Sequence, residues 1–228
     1  MPLTFFILQG DMRKFEDSYR HKGLRKKLIE LLREKGITDE QVLMAMNNIP
    51  RHLFLDTALD NIAYEDRAFP IAEGQTISQP YTVAYQTQLL QVKPQEKILE
   101  IGTGSIYQAT VLAEMKANVF TIERQKALFD KTKQYVFRSK YPNLKFFYGD
   151  GFEGLPTYAP FDKVIITAAA PFIPPKLIDQ LKPGGKMVIP VDEGVHQRML
   201  RITKQPHGTT TEEALSNFSF VPMLTGKN

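Results

Sequence analysis

The chain has 228 residues, of which 43% are hydrophobic and 24% are charged, so it is long and apolar enough to bury the core of one compact domain. Its 29 lysines and arginines only slightly outnumber its 25 aspartates and glutamates, and a formal net charge of +4 is too mild to predict nucleic acid as the main partner. It contains no cysteine, which excludes disulfides, thiolate nucleophiles and cysteine-based metal sites.

The sequence pattern of residues 1–15 predicts a short extension ahead of the folded domain. The apolar run at residues 3–8 is far shorter than the ~20 residues that span a bilayer, and no basic segment or small-residue cleavage site accompanies it. We therefore expect no membrane anchor, no signal peptide and a cytoplasmic location, which the lack of cysteine also fits. The segment MRKF at residues 12–15 is typical of a natural start, so residues 1–11 are expected to contribute little to the structure.

Two helices are predicted next. Leucines at helical spacing, with basic residues between them, predict an amphipathic helix within residues 14–35. Thr38 and Gln41 have the spacing of a capping box, which predicts a second helix through about residue 47. Together these helices predict a helical cap on the N-terminal side of the domain.

Beyond residue 97, short apolar strands alternate with helical stretches. Strands are predicted at residues 97–101, 118–122, 144–148, 162–167 and 186–191. Helices are predicted from the first glycine turn to about residue 115, at residues 125–139 and at residues 174–181, with a tight turn at residues 183–185. This alternation predicts an α/β fold with a doubly wound, mostly parallel, Rossmann-like sheet, whose ligands bind at the carboxyl ends of the strands.

The C-terminal part predicts two more strands, at residues 199–203 and 218–221, with a polar loop at residues 206–213 between them. No internal repeat or low-complexity linker divides the chain. We predict a single domain over residues 12–228, with a helical cap over about 12–60, a cofactor-binding core over about 80–195 and C-terminal strands over about 196–224.

The turn after the first predicted strand of the core has the glycines of a nucleotide-binding turn. It reads LEIGTGSIY at residues 99–107, and Gly102 and Gly104 remove side chains where the main chain must pass close to a ligand. A dinucleotide fingerprint needs a third glycine at position 107, where Tyr107 stands. The E-x-G-x-G form that begins at Glu100 is instead typical of methyltransferases that bind S-adenosylmethionine, and Ser105 lies on the same turn.

Two acidic residues follow the next two strands. Glu123 lies about twenty residues beyond the glycine turn, where a carboxylate can accept both ribose hydroxyls. Asp150 and Gly151 follow the third strand, and the glycines flanking Asp150 let the main chain turn its carboxylate toward an adenine amino group. A surface ion pair for Glu123 and a helix cap for Asp150 are the simpler alternatives. Three features in this order after three successive strands predict an S-adenosylmethionine site.

Further motifs resemble one family of these enzymes, the protein-isoaspartate methyltransferases. They are IPRHLF at 49–54, GQTISQPY at 74–81, GDG at 149–151, APFD at 159–162, TAAAP at 167–171, QLKPGG at 180–185 and FVPM at 220–223. The match runs from about residue 14 to about residue 224. The resemblance implies methyl transfer from S-adenosylmethionine to the free α-carboxylate of L-isoaspartyl residues in damaged proteins and peptides, a repair reaction.

The resemblance also implies which residues bind the methyl acceptor, the isoaspartyl carboxylate. It implies that Ser78 is the active-site residue that holds the attacking carboxylate, and that Thr76 covers the cofactor from the same segment. Val221 and Pro222 are expected to contact the substrate, by pairing with its main chain as an added strand. A turn before Pro80 and an ordinary edge strand are the alternatives. Because the acceptor carboxylate is already ionised at neutral pH, no general base is needed.

No metal site is predicted. The four histidines are scattered along the sequence and form no visible triad or ligand cluster: His21, His52, His196 and His207. We expect a monomer that binds isoaspartyl peptides and age-damaged proteins, with no nucleic acid and no membrane as partner.

One residue departs from the family pattern. The family's turn reads G-x-G-S-G, and Ile106 stands at its last glycine. A β-branched side chain disfavours positive φ and adds bulk. If the family's glycine provides clearance for the cofactor, Ile106 weakens binding; if it eases helix packing, the effect is small.

Two alternatives stay open from the sequence. One is an S-adenosylmethionine-dependent methyltransferase of RNA or a small molecule on the same fold. The other is a non-catalytic homologue that binds isoaspartyl segments and is disabled at Ile106.

Overall fold

The structure, a computed structural model, describes residues 16–135 and 137–228. The predicted extension over residues 1–11 lies outside the described residues. The described helices are α1 (Tyr19–Glu34), α2 (Glu40–Asn48), α3 (Pro80–Leu90), α4 (Tyr107–Glu114), α5 (Lys126–Lys131) and α6 (Pro175–Asp179). The described strands are β1 (Phe69–Pro70), β2 (Thr76–Ile77), β3 (Lys97–Ile101), β4 (Asn118–Glu123), β5 (Leu144–Tyr148), β6 (Phe161–Ile166), β7 (Leu181–Asp192), β8 (Gln197–Lys204) and β9 (Thr210–Phe218).

A seven-stranded sheet forms the centre of the molecule, in the order β5-β4-β3-β6-β7-β8-β9. The five strands from β5 to β7 in that order are parallel, and β8 and β9 add an antiparallel edge. The chain runs outward from β3 to β5, then returns to place β6 on the other side of β3. This order confirms the predicted doubly wound α/β fold, and its switch point lies between β3 and β6.

Both faces of the sheet are covered, because alternate residues of each strand point to opposite faces. Ile98 packs in a core with the apolar faces of α1 and α2, which the sequence predicted as a helical cap, and of α3 and α4. Its neighbour Leu99 packs in a second core that includes Leu177 of α6. None of the helices in the described ranges is both long enough and apolar enough to cross a membrane.

Tertiary contacts move two predicted helix boundaries. The capping box is wrong: Asp39, not Thr38, caps α2, since its carboxylate accepts from the main-chain N–H groups of Gln41 and Val42. Thr38 instead donates its main-chain N–H and its hydroxyl to the amide oxygen of Gln88 in α3. The helix predicted at residues 125–139 ends at Lys131 and continues only as a 3-10 turn to Gln134.

The C-terminal prediction is wrong in its second strand. The polar loop expected at residues 206–213 overlaps the start of β9, which pairs with β8 from Thr210 onward. Residues 219–221 form no strand; the N–H of Phe220 donates to the side chain of Gln197 in β8, and Pro222 forms an isolated bridge with Ala169. The predicted turn at residues 183–185 is a bulge inside β7, where one residue of β6 faces several of β7.

Candidate active site

A cavity lies at the carboxyl ends of β3, β4 and β6, beside the switch point of the sheet. We call it the central cavity. It is lined by nine of the residues that the sequence analysis singled out: Thr76, Ser78, Gly102, Gly104, Ser105, Glu123, Gly151, Val221 and Pro222. Glu100 and Asp150, which were also predicted to hold the cofactor, are not part of its wall.

The turn after β3 brings the main chain to the cavity because two of its residues are glycines. Gly102 has a φ of +98° and Gly104 a φ of +48°, in the left-handed region that glycine adopts at little cost. A Cβ atom on Gly102 would also lie 2.6 Å from the hydroxyl oxygen of Thr167. A larger residue at position 102 would therefore be both strained and in collision with the end of β6.

Ile106 begins α4 in the left-handed region, with a φ of +72° and a ψ of −5°. Its side chain is 8% exposed and packs in the core under the helical cap. It does not line the central cavity, although its neighbours Ser105 and Tyr107 do. The cost of Ile106 is thus backbone strain, about 1–2 kcal/mol for an L-residue in this region, rather than lost room for a ligand.

Glu123 is held at the cavity wall by main-chain donors. Its two carboxylate oxygens accept from the N–H groups of Gly104, at 2.9 Å, and Gln125, at 2.8 Å. The residue is only 5% exposed. Each oxygen keeps further lone pairs, so the carboxylate can still accept hydroxyl donors from a ligand.

Glu100 lies beneath the turn and has no exposure. Neither of its carboxyl oxygens has a hydrogen-bond partner in the part of the chain that the structure describes. Burial, opposed by the Thr121 hydroxyl and reinforced by the charge of Glu123, raises the pKa of Glu100 to about 8. With a pKa of about 8, the Glu100 carboxyl is mostly protonated at neutral pH.

Asp150 is occupied by main-chain donors outside the cavity. Its carboxylate accepts from the N–H of Phe152 at 2.9 Å and from the N–H of Gly226 at 2.6 Å. Gly226 belongs to a C-terminal segment over residues 223–228 that Arg124 also holds, by donating to the carbonyls of Thr225 and Gly226. Asp150 thus fastens this segment at the edge of the cavity.

A second depression, the outer groove, adjoins the central cavity. It is lined by residues of the 76–82 segment, the loop between β7 and β8, the end of β9 and residues 219–221. Four residues line both spaces: Thr76, Ser78, Thr167 and Val221. Among the described residues of the groove wall, only His196 has a side chain that can carry a positive charge.

Where the central cavity meets the outer groove, the hydroxyls of Thr167 and Ser78 differ in whether they are free to donate a hydrogen bond to a ligand. The Thr167 hydroxyl donates to the carbonyls of Ile101 and Gly102, each at 2.9 Å, so its proton is committed. The Ser78 hydroxyl has no hydrogen-bond partner within the described residues, while its carbonyl accepts from the guanidinium of Arg51 at 2.8 Å. Ser78 therefore offers a free donor where the cavity and the groove meet.

Two of the histidines are not scattered. The rings of His21 and His52 stack with centroids 3.7 Å apart, and a carboxylate oxygen of Asp17 completes a group within 4.8 Å. Asp17 already accepts two hydrogen bonds from Arg25, each at 2.9 Å. The Nδ1 atom of His52 lies 2.8 Å from the hydroxyl oxygen of Tyr64. Burial, together with the neighbouring His21, lowers the pKa of His52.

Sequence reasoning gave no role to several residues that the structure places at the site. Thr167 and Arg124 line the cavity, and so do Met223 and Leu224 of the C-terminal segment. Thr167 opens the TAAAP motif and Met223 ends the FVPM motif, so the motifs marked these positions without indicating their contacts. Arg51, which lies in the IPRHLF motif, contacts Ser78 although the two are 27 residues apart.

Comparison with known proteins gives consistent matches. The family model described as protein-L-isoaspartate(D-aspartate) O-methyltransferase matches residues 23–228. The protein-L-isoaspartate O-methyltransferase of Cytophaga hutchinsonii is 56% identical over 213 residues, which are 93% of this chain and 96% of that protein.

Two solved structures share the fold. One, named protein-L-isoaspartate O-methyltransferase, has a TM-score of 0.77 and 26% identity; the match covers 87% of this chain and 65% of that one, so this chain spans just under two thirds of its length. The other is a protein-L-isoaspartate O-methyltransferase from Plasmodium falciparum in complex with S-adenosyl-L-homocysteine. Its TM-score is 0.76 and its identity 27%, over 88% of this chain and 98% of that one.

Proposed function

The chain belongs to the protein-L-isoaspartate(D-aspartate) O-methyltransferase family, and we propose that it methylates the free α-carboxylate of L-isoaspartyl residues with S-adenosylmethionine as donor. Membership of the family confirms the resemblance that the motifs predicted. The protein is then a carboxyl O-methyltransferase of damaged proteins and peptides. A cytoplasmic location and a monomeric state stay predictions.

The residues of the central cavity fit S-adenosylmethionine, the methyl donor. Gly102 and Gly104 form a cradle that a Cβ atom at position 102 would fill, and Glu123 presents a buried carboxylate with free lone pairs. Together with Thr76, Ser105 and Gly151 they would hold S-adenosylmethionine. When bound, this donor supplies an electrophilic methyl group, whose bond to sulfur breaks as its bond to the carboxylate oxygen forms, leaving S-adenosylhomocysteine.

Glu100 and Asp150 were both predicted to contact the methyl donor, but neither lines the central cavity. Glu100 is fully buried and does not line the cavity, so its effect on a bound donor would be indirect. Asp150 holds Gly226, so its influence on the adenine end would pass through the C-terminal segment.

The acceptor side needs positioning rather than proton transfer. A carboxylate with an ordinary pKa of about 3.3–3.9 is ionised at neutral pH, so no residue has to remove a proton. The Ser78 hydroxyl, free of other partners in the described structure, donates to one acceptor oxygen and fixes the orientation of the other. The apolar neighbours Ile77 and Val221 exclude water from the junction.

The groove accounts for tolerance of different substrate sequences. Val221 uses its carbonyl to accept from the N–H of Ala169 at 2.8 Å, and Pro222 has no N–H to offer. The N–H of Val221 and the carbonyl of Pro222 have no hydrogen-bond partner within the described residues, so these two groups are left to pair with the main chain of a peptide as an added strand. A wall of hydroxyl, amide and aromatic groups suits a flexible peptide of variable sequence.

The observation that carries this proposal is the junction itself: a cavity with a glycine cradle and an acidic wall adjoins the outer groove at Ser78, whose hydroxyl has no partner within the described residues. The test incubates the protein with labelled S-adenosylmethionine and two peptides of one sequence, one with isoaspartate and one with aspartate. We expect label only in the isoaspartyl peptide.

Other outcomes would support the alternatives. Label in neither peptide, with transfer to RNA or a small molecule, would replace the proposed acceptor. Failure to bind S-adenosylhomocysteine in calorimetry, combined with binding of the isoaspartyl peptide, would indicate a non-catalytic homologue.

A further inference from the structure

Arg51 is fully buried and contacts the segment 76–82, which carries Ser78 and which we call the acceptor segment. Its Nε donates to the carbonyl of Ala63 at 3.0 Å and its Nη2 donates to the carbonyl of Ser78 at 2.8 Å. Its guanidinium lies over the ring of Tyr107, 4.8 Å from the centroid. Tyr107 is the first residue of α4 and lines the central cavity, so Arg51 connects the acceptor segment to the element that follows the glycine turn.

The charge of Arg51 is not neutralised by a contact. No carboxylate of the described residues forms a salt bridge with it, and its Nη1 has no hydrogen-bond partner among them. Burial lowers the pKa of this guanidinium, but an arginine stays protonated in proteins. Asp66 acts on this charge through space but makes no contact with it, so within the described residues the buried guanidinium has no directly bonded counter-ion, and such burial is costly.

A second buried arginine shows the usual arrangement. Arg25 is 6% exposed, in the same helical cap, and donates to both carboxylate oxygens of Asp17 and to the hydroxyl of Tyr64. Its charge is paired and it does not line the cavity or the groove. Arg25 therefore serves as a matched control for a buried arginine with a structural role.

The acceptor is an anion, and the outer groove through which its peptide would bind offers little positive charge. Within the described lining of the groove, His196 is the one side chain able to carry such a charge. A cation behind the wall still acts on that space, since electrostatic interactions are weakly screened in a protein interior.

We propose that Arg51 is a positioning residue for the acceptor: it fixes the main chain of Ser78, and its unpaired charge provides the positive potential that attracts the substrate carboxylate. This inference rests on the proposed function, because it names the residue that prepares Ser78 for the isoaspartyl carboxylate.

Two substitutions separate the two contributions. Arg51→Met removes both the hydrogen bonds and the charge. Arg51→Lys keeps the charge but lacks the planar guanidinium that donates to the carbonyls of Ala63 and Ser78 together. We expect kcat/KM for an isoaspartyl peptide to fall about 100-fold in Arg51→Met and about tenfold in Arg51→Lys, since small misplacements of a reacting group are costly. The affinity for S-adenosylhomocysteine should change less than about threefold in both.

Arg25→Met controls for stability alone. It should lower the melting temperature while the folded protein keeps the kcat and KM of the wild type. If Arg51→Met or Arg51→Lys behaved in the same way, Arg51 would be structural only and the inference would be wrong.

A double-mutant cycle covers the case in which Arg51→Met does not fold. If Arg51 acts through Ser78, Arg51→Lys should cost much less in a Ser78→Ala background than in the wild type. Additive effects would overturn the inference. Wild-type protein that fails to methylate the isoaspartyl peptide would instead remove the proposed function, which the same assay detects before any variant is compared.

Discussion

The two sides of the proposed active site, one for the methyl donor and one for the methyl acceptor, are built in different ways. The donor side consists of turns that follow β3 and β4, where Gly102, Gly104 and Glu123 are held by hydrogen bonds between neighbouring strand ends. The acceptor side gathers Ser78, Thr167 and Val221 from distant parts of the chain. The donor side is thus fixed by the sheet itself, whereas the acceptor side depends on contacts such as that of Arg51 with Ser78.

This difference predicts how the two sides respond to substitution. A change on the donor side should alter cofactor affinity or the stability of the sheet. A change on the acceptor side should alter turnover of the peptide and leave cofactor affinity nearly intact. The substitutions below test this separation, from the largest expected free-energy effect to the smallest.

Glu100 should make the stability of the donor side fall between about pH 4.5 and pH 8. Its pKa of about 8 in the folded protein exceeds the ordinary value of 4.5, so folding favours the protonated form. Its contribution to stability is fully present below about pH 4.5 and is lost as pH rises to about 8, on the order of 4 kcal/mol in total.

Glu100→Gln cannot titrate and should remove this slope. Denaturant unfolding of both proteins between pH 5 and pH 9 measures it. A wild-type stability that rises over this range, or a slope that Glu100→Gln retains, would contradict the buried, protonated carboxyl.

Glu123→Gln should weaken binding of S-adenosylhomocysteine about 100-fold, because an amide cannot accept from both Gly104 and Gln125 and carries no charge for ribose hydroxyls. Calorimetry measures the affinity. Glu153→Gln is the matched control, since Glu153 is an exposed carboxylate paired with Lys176. Equal affinities for all three proteins would remove Glu123 from the donor site.

Ile106→Gly should affect stability more than ligand binding. Loss of a buried side chain costs about 2–5 kcal/mol, and release of the strained φ returns about 1–2 kcal/mol, so stability should fall by about 1–3 kcal/mol. Affinity for S-adenosylhomocysteine should stay within about threefold, because Ile106 does not line the cavity. A gain of tenfold or more would show that Ile106 obstructs the cofactor after all.

Thr167→Val tests the border between the two sides. It removes a hydroxyl whose proton is committed to the carbonyls of Ile101 and Gly102, so it should cost about 1 kcal/mol of stability. Thermal unfolding checks this value, and activity at saturating peptide should change little. A large loss of kcat without loss of stability would mean that Thr167 contacts the acceptor directly.

The sequence predicted the glycine turn and Glu123 at the cavity, but not the positions of Glu100 and Asp150, because the signals of the first two are local. The strands β3 to β5 are short apolar runs, and the glycine turn and Glu123 are separated by a characteristic spacing. The positive φ of Ile106 could be anticipated from the family pattern, but the direction of its side chain could not, since that depends on packing under the helical cap.

The features that the sequence did not predict depend on contacts between residues far apart in the chain. Gln88 of α3 takes the hydrogen bonds of Thr38 and leaves Asp39 to cap α2. β9 is an edge strand with mostly exposed residues, so it shows no alternation of apolar side chains. Asp150 meets its partner Gly226 across 76 residues of chain. No local pattern indicates such pairings.

The most direct test of the division between the two sides compares two serines. Ser78→Ala removes the free hydroxyl on the acceptor side, and Ser105→Ala removes a hydroxyl on the donor side. For each variant, S-adenosylhomocysteine affinity and kcat/KM for the isoaspartyl peptide are measured together. Ser78→Ala should lower kcat/KM at least tenfold with cofactor affinity within about threefold, since a hydrogen bond to a charged group is lost. Equal losses of affinity and activity in Ser78→Ala, or full activity, would contradict the account.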